Sequence, residues 1–206
     1  MPELKIGELR KCDYKKAIQS AIKGMHFNWY MDSKWILNLY GRYFWYLELT
    51  RATQVLAAYH GDEFAGVLLC EIKGEAKKYK SWWNSLYVKV FDCMQKLLVK
   101  DGVGPYDEAN RQMLEDYKKQ HTPDGEILFL AAKPDIRVKG IGSMLLSELE
   151  KREHGKEVYL FTDSACTYQF YEHRGFERIQ EKDIMLEIGV KKVDLECYLY
   201  CKVLGS

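Results

Sequence analysis

The chain has 206 residues, 31 Lys and Arg against 30 Asp and Glu, and is 47% hydrophobic. That length suits one domain with an insertion, and a net charge of +1 lacks the global basic excess of a nucleic-acid binder. No apolar run approaches the roughly eighteen residues of a membrane span, and the first residues lack a signal peptide's apolar core. A cytoplasmic protein with neither membrane nor nucleic acid as partner is therefore expected.

In chain order, residues 3–12 alternate loosely through Leu4, Ile6 and Leu9 and read as a first strand. Asp13 is placed to N-cap a helix over Lys15–Lys23, and Asp32-Ser33 to cap a second helix carrying Trp35, Leu39, Arg42, Tyr43 and Tyr46 at helical spacing. Two β-like runs, Thr53–Tyr59 and Phe64–Ile72, flank His60-Gly61-Asp62-Glu63, a hairpin signal. Residues 73–125 differ. They are lysine-rich at first, with helical stretches through Leu97-Leu98 and over Asp107–Lys119, separated by Asp101-Gly102-Val103-Gly104-Pro105. A segment this long is rarely structureless within a compact domain.

Then Glu126–Ala132 reads as a strand and Pro134-Asp135 as a turn. Ile141, Met144, Leu145 and Leu149 fall on one face of a helix. A short strand at Val158–Phe161, a helix at Ser164–His173 closed by Gly175, and strands around Phe176–Ile188 and Val193–Val203 complete the order. Interleaved strands and helices imply an α/β sheet with helices on its faces.

Six cysteines occur without a CxxC pair. Cys197 and Cys201 stand four apart in a strand, about 13 Å between Cα atoms, beyond disulfide reach. They read as reduced thiols, mostly packed in the core. Fifteen tyrosines and five tryptophans suit either a ligand or partner surface or a tyrosine-rich core. The five histidines form neither HxH nor HExxH, so no metal site is expected.

The chemistry concentrates in Arg137-Val138-Lys139-Gly140-Ile141-Gly142-Ser143, between a strand and an amphipathic helix. Gly140 and Gly142 leave room for a ligand close to the backbone. The helix start offers unpaired N–H groups and the positive end of the macrodipole, which suits a pyrophosphate, with Arg137 and Lys139 adding charge. No Gly-Lys-Ser/Thr closes it, so it is not a Walker A loop, and the first glycine of GxGxxG is absent. Alone, the same residues also read as a tight strand-to-helix turn.

The run EILFLAAKPDIRVKGIG, from Glu126 to Gly142, resembles motif A of the GNAT acetyltransferases, whose (Arg/Gln)-x-x-Gly-x-(Gly/Ala) loop is matched by Arg137, Gly140 and Gly142. About thirty residues on, Phe170-Tyr171-Glu172-His173-Arg174-Gly175-Phe176 is similar to that family's motif B ending. The resemblance implies a GNAT fold: one domain over 1–206 with a mixed, mostly antiparallel central sheet, helices on both faces, and a helical insertion (73–125) between the third and fourth strands. It implies acetyl-CoA as co-substrate and no metal. The pyrophosphate would be held by Arg137, Val138, Lys139, Gly140, Ile141, Gly142 and Ser143, with further contacts from Leu130 and Ala132 by their backbone and from Ser164, which replaces a frequent Asn.

The implied reaction is direct acetyl transfer to a primary amine, expected to be that of a small molecule. An alkylammonium near pKa 10.4 is neutral in only about one part in a few thousand at pH 7, so a base is needed. By the resemblance Glu126 is that base, with Glu71 or a water as rivals; the bare residue also reads as a solvated glutamate heading a strand. Tyr171 is the implied general acid, with Tyr168 one turn away. A phenol protonating a thiolate near 8.5 is uphill, so Tyr171 needs a depressed pKa or acts as a hydrogen-bond donor. Cys166 lacks a recognisable His partner for covalent catalysis and reads as core. Acceptor contacts are expected from Met25–Met31 and from the insertion, where Trp82-Trp83 beside Lys77, Lys78 and Lys80 suggest a lid or a homodimer surface. Two other readings stay open: an inactive acyl-CoA-binding or sensor module, and a protein N-acetyltransferase whose insertion docks a partner.

Overall fold

Seven strands pair into one sheet in the order β1-β2-β3-β4-β5-β7-β6, in a computed structural model that describes residues 3–27, 33–77, 79, 81–98, 104–188 and 191–206. In chain order the elements are β1 (Leu4–Gly7), α1 (Tyr14–Gly24), α2 (Lys34–Arg51), β2 (Gln54–His60), β3 (Glu63–Ile72), α3 (Trp82–Leu98), α4 (Pro105–Tyr117), β4 (Gly125–Ala132), α5 (Ile141–Arg152), β5 (Glu157–Asp163), α6 (Gln169–His173), β6 (Glu177–Ile188) and β7 (Lys191–Val203). Every neighbouring pair is antiparallel except β4 with β5. The expected mixed, mostly antiparallel sheet is thus present, and α3 and α4 occupy the segment between β3 and β4.

Alternation along the strands sorts two faces. On one, Leu68, Cys70, Ile127, Val158 and Leu160 meet Ile141, Leu145 and Leu149 of α5. On the other, Val67, Leu69 and Phe129 meet Ala17, Ile18 and Ala21 of α1 and Trp45 and Leu49 of α2. Further along this second face, Tyr159 and Leu199 meet Ala109, Met113 and Tyr117 of α4. Helix α3 lies outside α2, held by Phe91 stacked on Tyr43 at 4.3 Å and by the Tyr87 hydroxyl donating to the Leu39 carbonyl at 3.2 Å.

Several local expectations change. The first strand is only four residues long, because Lys11–Asp13 form a 3-10 turn. Asp13 does precede α1, but its buried carboxylate makes no cap hydrogen bond and pairs instead with Arg10 and Lys16, both at 2.8 Å. Ser33 precedes α2, also without a side-chain cap, while Asp32 lies outside the described residues. The helix expected over Ser164–His173 shrinks to Gln169–His173. Asp163 Oδ1 accepts from the N–H of Ala165 at 2.9 Å and of Cys166 at 3.2 Å, and that holds a turn there instead.

Candidate active site

The site begins where β4 leaves β5. Only Gly125↔Val158 and Glu126↔Tyr159 are paired between these two strands, although β4 continues to Ala132 and β5 to Asp163. The cause lies one step on. Against β3, Cys70 pairs with Ile127 but Leu69 pairs with Phe129, so Leu128 is an extra residue in β4. Such a bulge bends its strand and sharpens its twist. Leu128 and Phe129 consequently pack towards the same core, beneath α1 and α2.

Beyond the bulge, β4 stays paired with β3 through Leu130↔Leu68 and Ala132↔Gly66, and the Lys133 N–H donates to Ala65 at 2.6 Å. Since alternate residues of a strand direct their N–H and C=O to opposite neighbours, those of Leu130 and Ala132 face the gap that β5 has vacated. These two residues were singled out in the sequence for this position.

The turn after β4 leads to the start of α5. Ile136 and Val138 pack inward on the α5-side core, and the alternate residues Arg137 and Lys139 are exposed, with no carboxylate partner among the described residues. Gly140 has φ +83° at the N-cap of α5, a backbone that L side chains rarely adopt. The first bond within α5 runs from the Met144 N–H to the Gly140 carbonyl at 2.9 Å, so the N–H groups of Ile141, Gly142 and Ser143 have no helical partner. Two glycines expected to do the same job do different ones. A Cβ on Gly140 would meet nothing within 4 Å, so its requirement is the positive φ. A Cβ on Gly142 would lie 3.2 Å from Phe170, so Gly142 is there for packing against α6. The Ile141 side chain is buried in the core, which leaves only its backbone for a ligand.

Glu126 is not the solvated carboxylate that a strand-heading glutamate suggests. Its side chain is 14% exposed and is bound by Arg51 and by the Tyr159 hydroxyl at 3.0 Å. Both contacts fall on Oε2, so Oε1 has no partner among the described residues. The same Arg51 guanidinium meets Glu48 of its own helix at 3.3 Å and Glu71 of β3 at 3.3 Å. Glu71, the rival base, is held further by Lys77 at 2.7 Å. Burial raises the Glu48 carboxyl to about 7, with Glu126 and Glu71 pushing the same way against the pull of Arg51. Arg51, Glu48 and Tyr159 were missed in the sequence.

Tyr171 packs on the opposite face from Glu126, edge-on to Phe170 at 5.3 Å and Phe176 at 5.7 Å. Its hydroxyl has no hydrogen-bond partner among the described residues, and burial moves its pKa up rather than down. Tyr168 is committed elsewhere, 5.0 Å from Tyr198 with Arg178 at 5.2 Å from its ring. The Ser164 hydroxyl accepts from the Glu196 N–H at 3.1 Å, which ties β5 to β7 and leaves it one proton to donate. Burial pushes the Cys166 thiol to about 12, so it is not a thiolate at neutral pH. Of the acceptor stretch, Phe27 packs between Tyr40 at 4.9 Å and Phe44 at 5.4 Å, while residues 28–31 lie outside the described ones. No group of three metal-binding side chains occurs among the described residues.

Residues 109–178, which run from α4 through β4, α5, β5 and α6, match the family model of the acetyltransferase (GNAT) domain. No curated protein matches the chain in sequence. Solved structures match over nearly its whole length. Arylalkylamine N-acetyltransferase 2 from Aedes aegypti is 18% identical, with 98% of this chain and 100% of that one covered and a TM-score of 0.58. A protein from Corynebacterium glutamicum described as histone acetyltransferase HPA2 and related acetyltransferase is 14% identical, with 98% and 97% covered and a TM-score of 0.57. Arabidopsis thaliana NAA60, solved with a bisubstrate analogue, is 13% identical, with 98% and 99% covered and a TM-score of 0.55. Residues 109–178 thus resemble a GNAT acetyltransferase domain, and the whole sheet shares its fold with these structures.

Proposed function

We propose that the protein is a cytoplasmic N-acetyltransferase that moves an acetyl group directly from acetyl-CoA to a primary amine of a small molecule. The observation that carries this reading is the parting of β4 from β5 after Glu126 and Tyr159, in line with the turn that ends at Gly140. The residues present fit the co-substrate. Arg137 and Lys139 are exposed cations without ion pairs among the described residues, the first turn of α5 offers three N–H groups to a pyrophosphate, and Leu130 and Ala132 offer backbone groups to an extended amide chain. Acetyl-CoA supplies the activated acyl thioester.

The chain's own residues then have two tasks. Glu126 Oε1 takes the proton of the arriving ammonium, directly or through a water, while Arg51 and Tyr159 hold Oε2 and fix the carboxylate's orientation. Glu71 and Glu126 balance Arg51 and Lys77 around this point, and Glu48 adds negative charge as pH rises through about 7, which then favours the approach of a cation. Tyr171, kept protonated by burial, donates a hydrogen bond to the departing sulfur, and as the C–S bond breaks the thiolate takes, through water, the second proton that the nitrogen sheds.

The test is thermal unfolding with and without acetyl-CoA, for the wild type and for an Arg137→Glu/Lys139→Glu variant, followed by CoA-release assays over a panel of small amines and peptides. At a hundredfold excess over Kd, binding adds about 2.7 kcal/mol. A shift that the variant loses while keeping its own unfolding temperature supports the site. No shift in the wild type removes the ground for the reaction, and turnover confined to peptides removes the small-molecule acceptor.

A further inference from the structure

Helix α3 turns Tyr87, Val88 and Phe91 inward, and at about 100° per residue Trp82, Trp83, Leu86 and Val90 fall together on an arc of roughly 100° that faces away from α2. Their exposures are large: 68%, 70%, 38% and 61%. The two indoles meet edge-on at 4.5 Å. Nothing in the acetyl-transfer reading uses this face, and continuous apolar surface of this kind on a folded domain marks a contact.

The charge around it chooses the contact. Residues 77–98 carry five lysines and one aspartate, a local +4 in a chain of net +1, which leaves −3 for the remainder. Lys77 is paired with Glu71, while Lys89 is exposed beside the apolar arc. A second copy docked face to face would set one lysine-rich helix against its twin. An anionic surface neutralises it.

We propose that α3 is a peripheral docking helix for an anionic lipid surface. The tryptophans sit at headgroup depth, Leu86 and Val90 reach the acyl boundary, and Lys89 lies among the headgroups. The contact is peripheral, since among the described residues no helix is long and apolar enough to cross a membrane. It departs from the sequence-based expectation of no membrane partner, which the absence of a spanning run had suggested.

The experiment is sedimentation of the full chain with phosphatidylcholine vesicles, with and without phosphatidylserine, at low and high salt. It compares the wild type with Trp82→Ser/Trp83→Ser/Val90→Ser and with Lys89→Glu. The wild type binds only the phosphatidylserine vesicles, its tryptophan emission moves to the blue, and salt releases it. The triple variant, unfolding at the wild-type temperature, loses about tenfold or more in affinity, and Lys89→Glu loses at least about fivefold. The proposal is overturned by equal binding to neutral vesicles, by no binding at low salt, or by variants that bind as the wild type does. It is equally overturned by a dimer in solution that the triple variant dissolves, because the face then belongs to a second copy.

Discussion

Glu48 offers the sharpest physical test of the cluster under the sheet opening. Its side chain lies beneath α2, the residue is 8% exposed, and its carboxylate is 3.3 Å from Arg51 Nη1. Burial raises its pKa from 4.5 to about 7. The folded protein therefore holds a proton that the unfolded chain has released. Its stabilising contribution is fully present below about pH 4.5 and is lost as pH rises through about 7. A carboxyl displaced that far accounts for about 3 kcal/mol across the interval. Glu48→Gln keeps the volume and removes the titration, so urea unfolding of both proteins from pH 5 to pH 8 isolates it, because the other carboxylates largely cancel in the difference. The loss of the Arg51 contact sets a constant offset. On top of it, the variant gains on the wild type by about 3 kcal/mol as pH rises through the window. A difference that stays flat with pH refutes the reasoning.

Three further outcomes follow from the same geometry. Glu126→Gln lowers kcat by about 10²–10⁴ while leaving the acetyl-CoA Kd unchanged in a calorimetric titration, since the carboxylate lies with Arg51 and Tyr159 and not at the 137–143 turn. Tyr171→Phe leaves urea stability within about 0.5 kcal/mol, because the hydroxyl has no hydrogen-bond partner among the described residues, yet slows steady-state turnover on an active amine by about tenfold or more. Gly140→Ala costs about 1–2 kcal/mol in the same unfolding measurement because φ is +83°, even though its Cβ would meet open space.

What could be read in the sequence was local. The turn from Arg137 to Ser143 and the Tyr171–Gly175 stretch declare themselves within a few residues, through glycines at a helix start and at a helix end, where φ is +77°. The reason for Gly142 did not show, since its neighbour Phe170 arrives from the next helix but one strand. Arg51 was invisible for a similar cause: its carboxylates come from α2, β3 and β4, and no spacing in one dimension announces their meeting. Gly66 was legible in principle, because an isolated glycine within a strand often marks close approach, and here a Cβ would lie 2.6 Å from Ile141 at the start of α5. Asp13 shows the reverse, a correct local signal for a helix start whose side chain went instead to two nearby cations.

EILFLAA reads as an unbroken apolar strand, and the extra residue within it emerges only from the pairing with Leu69 and Cys70. That bulge links the fold to the proposed site, and deleting Leu128 tests the link. Ile127 already faces the α5 side and Phe129 the α1 side, as consecutive strand residues do, so the deletion leaves every other residue of β4 on its present face and in its present register with β3. The loss is one half-buried leucine, about 1 kcal/mol. Without the bend, β4 runs on beside β5, and the Leu130 and Ala132 N–H groups gain partners. Hydrogen exchange then reports new protection at those two amides, and calorimetry reports loss of acetyl-CoA binding in a protein that still unfolds cooperatively. If the variant folds, protects both amides and still binds acetyl-CoA, the opening between β4 and β5 is not where the co-substrate lies.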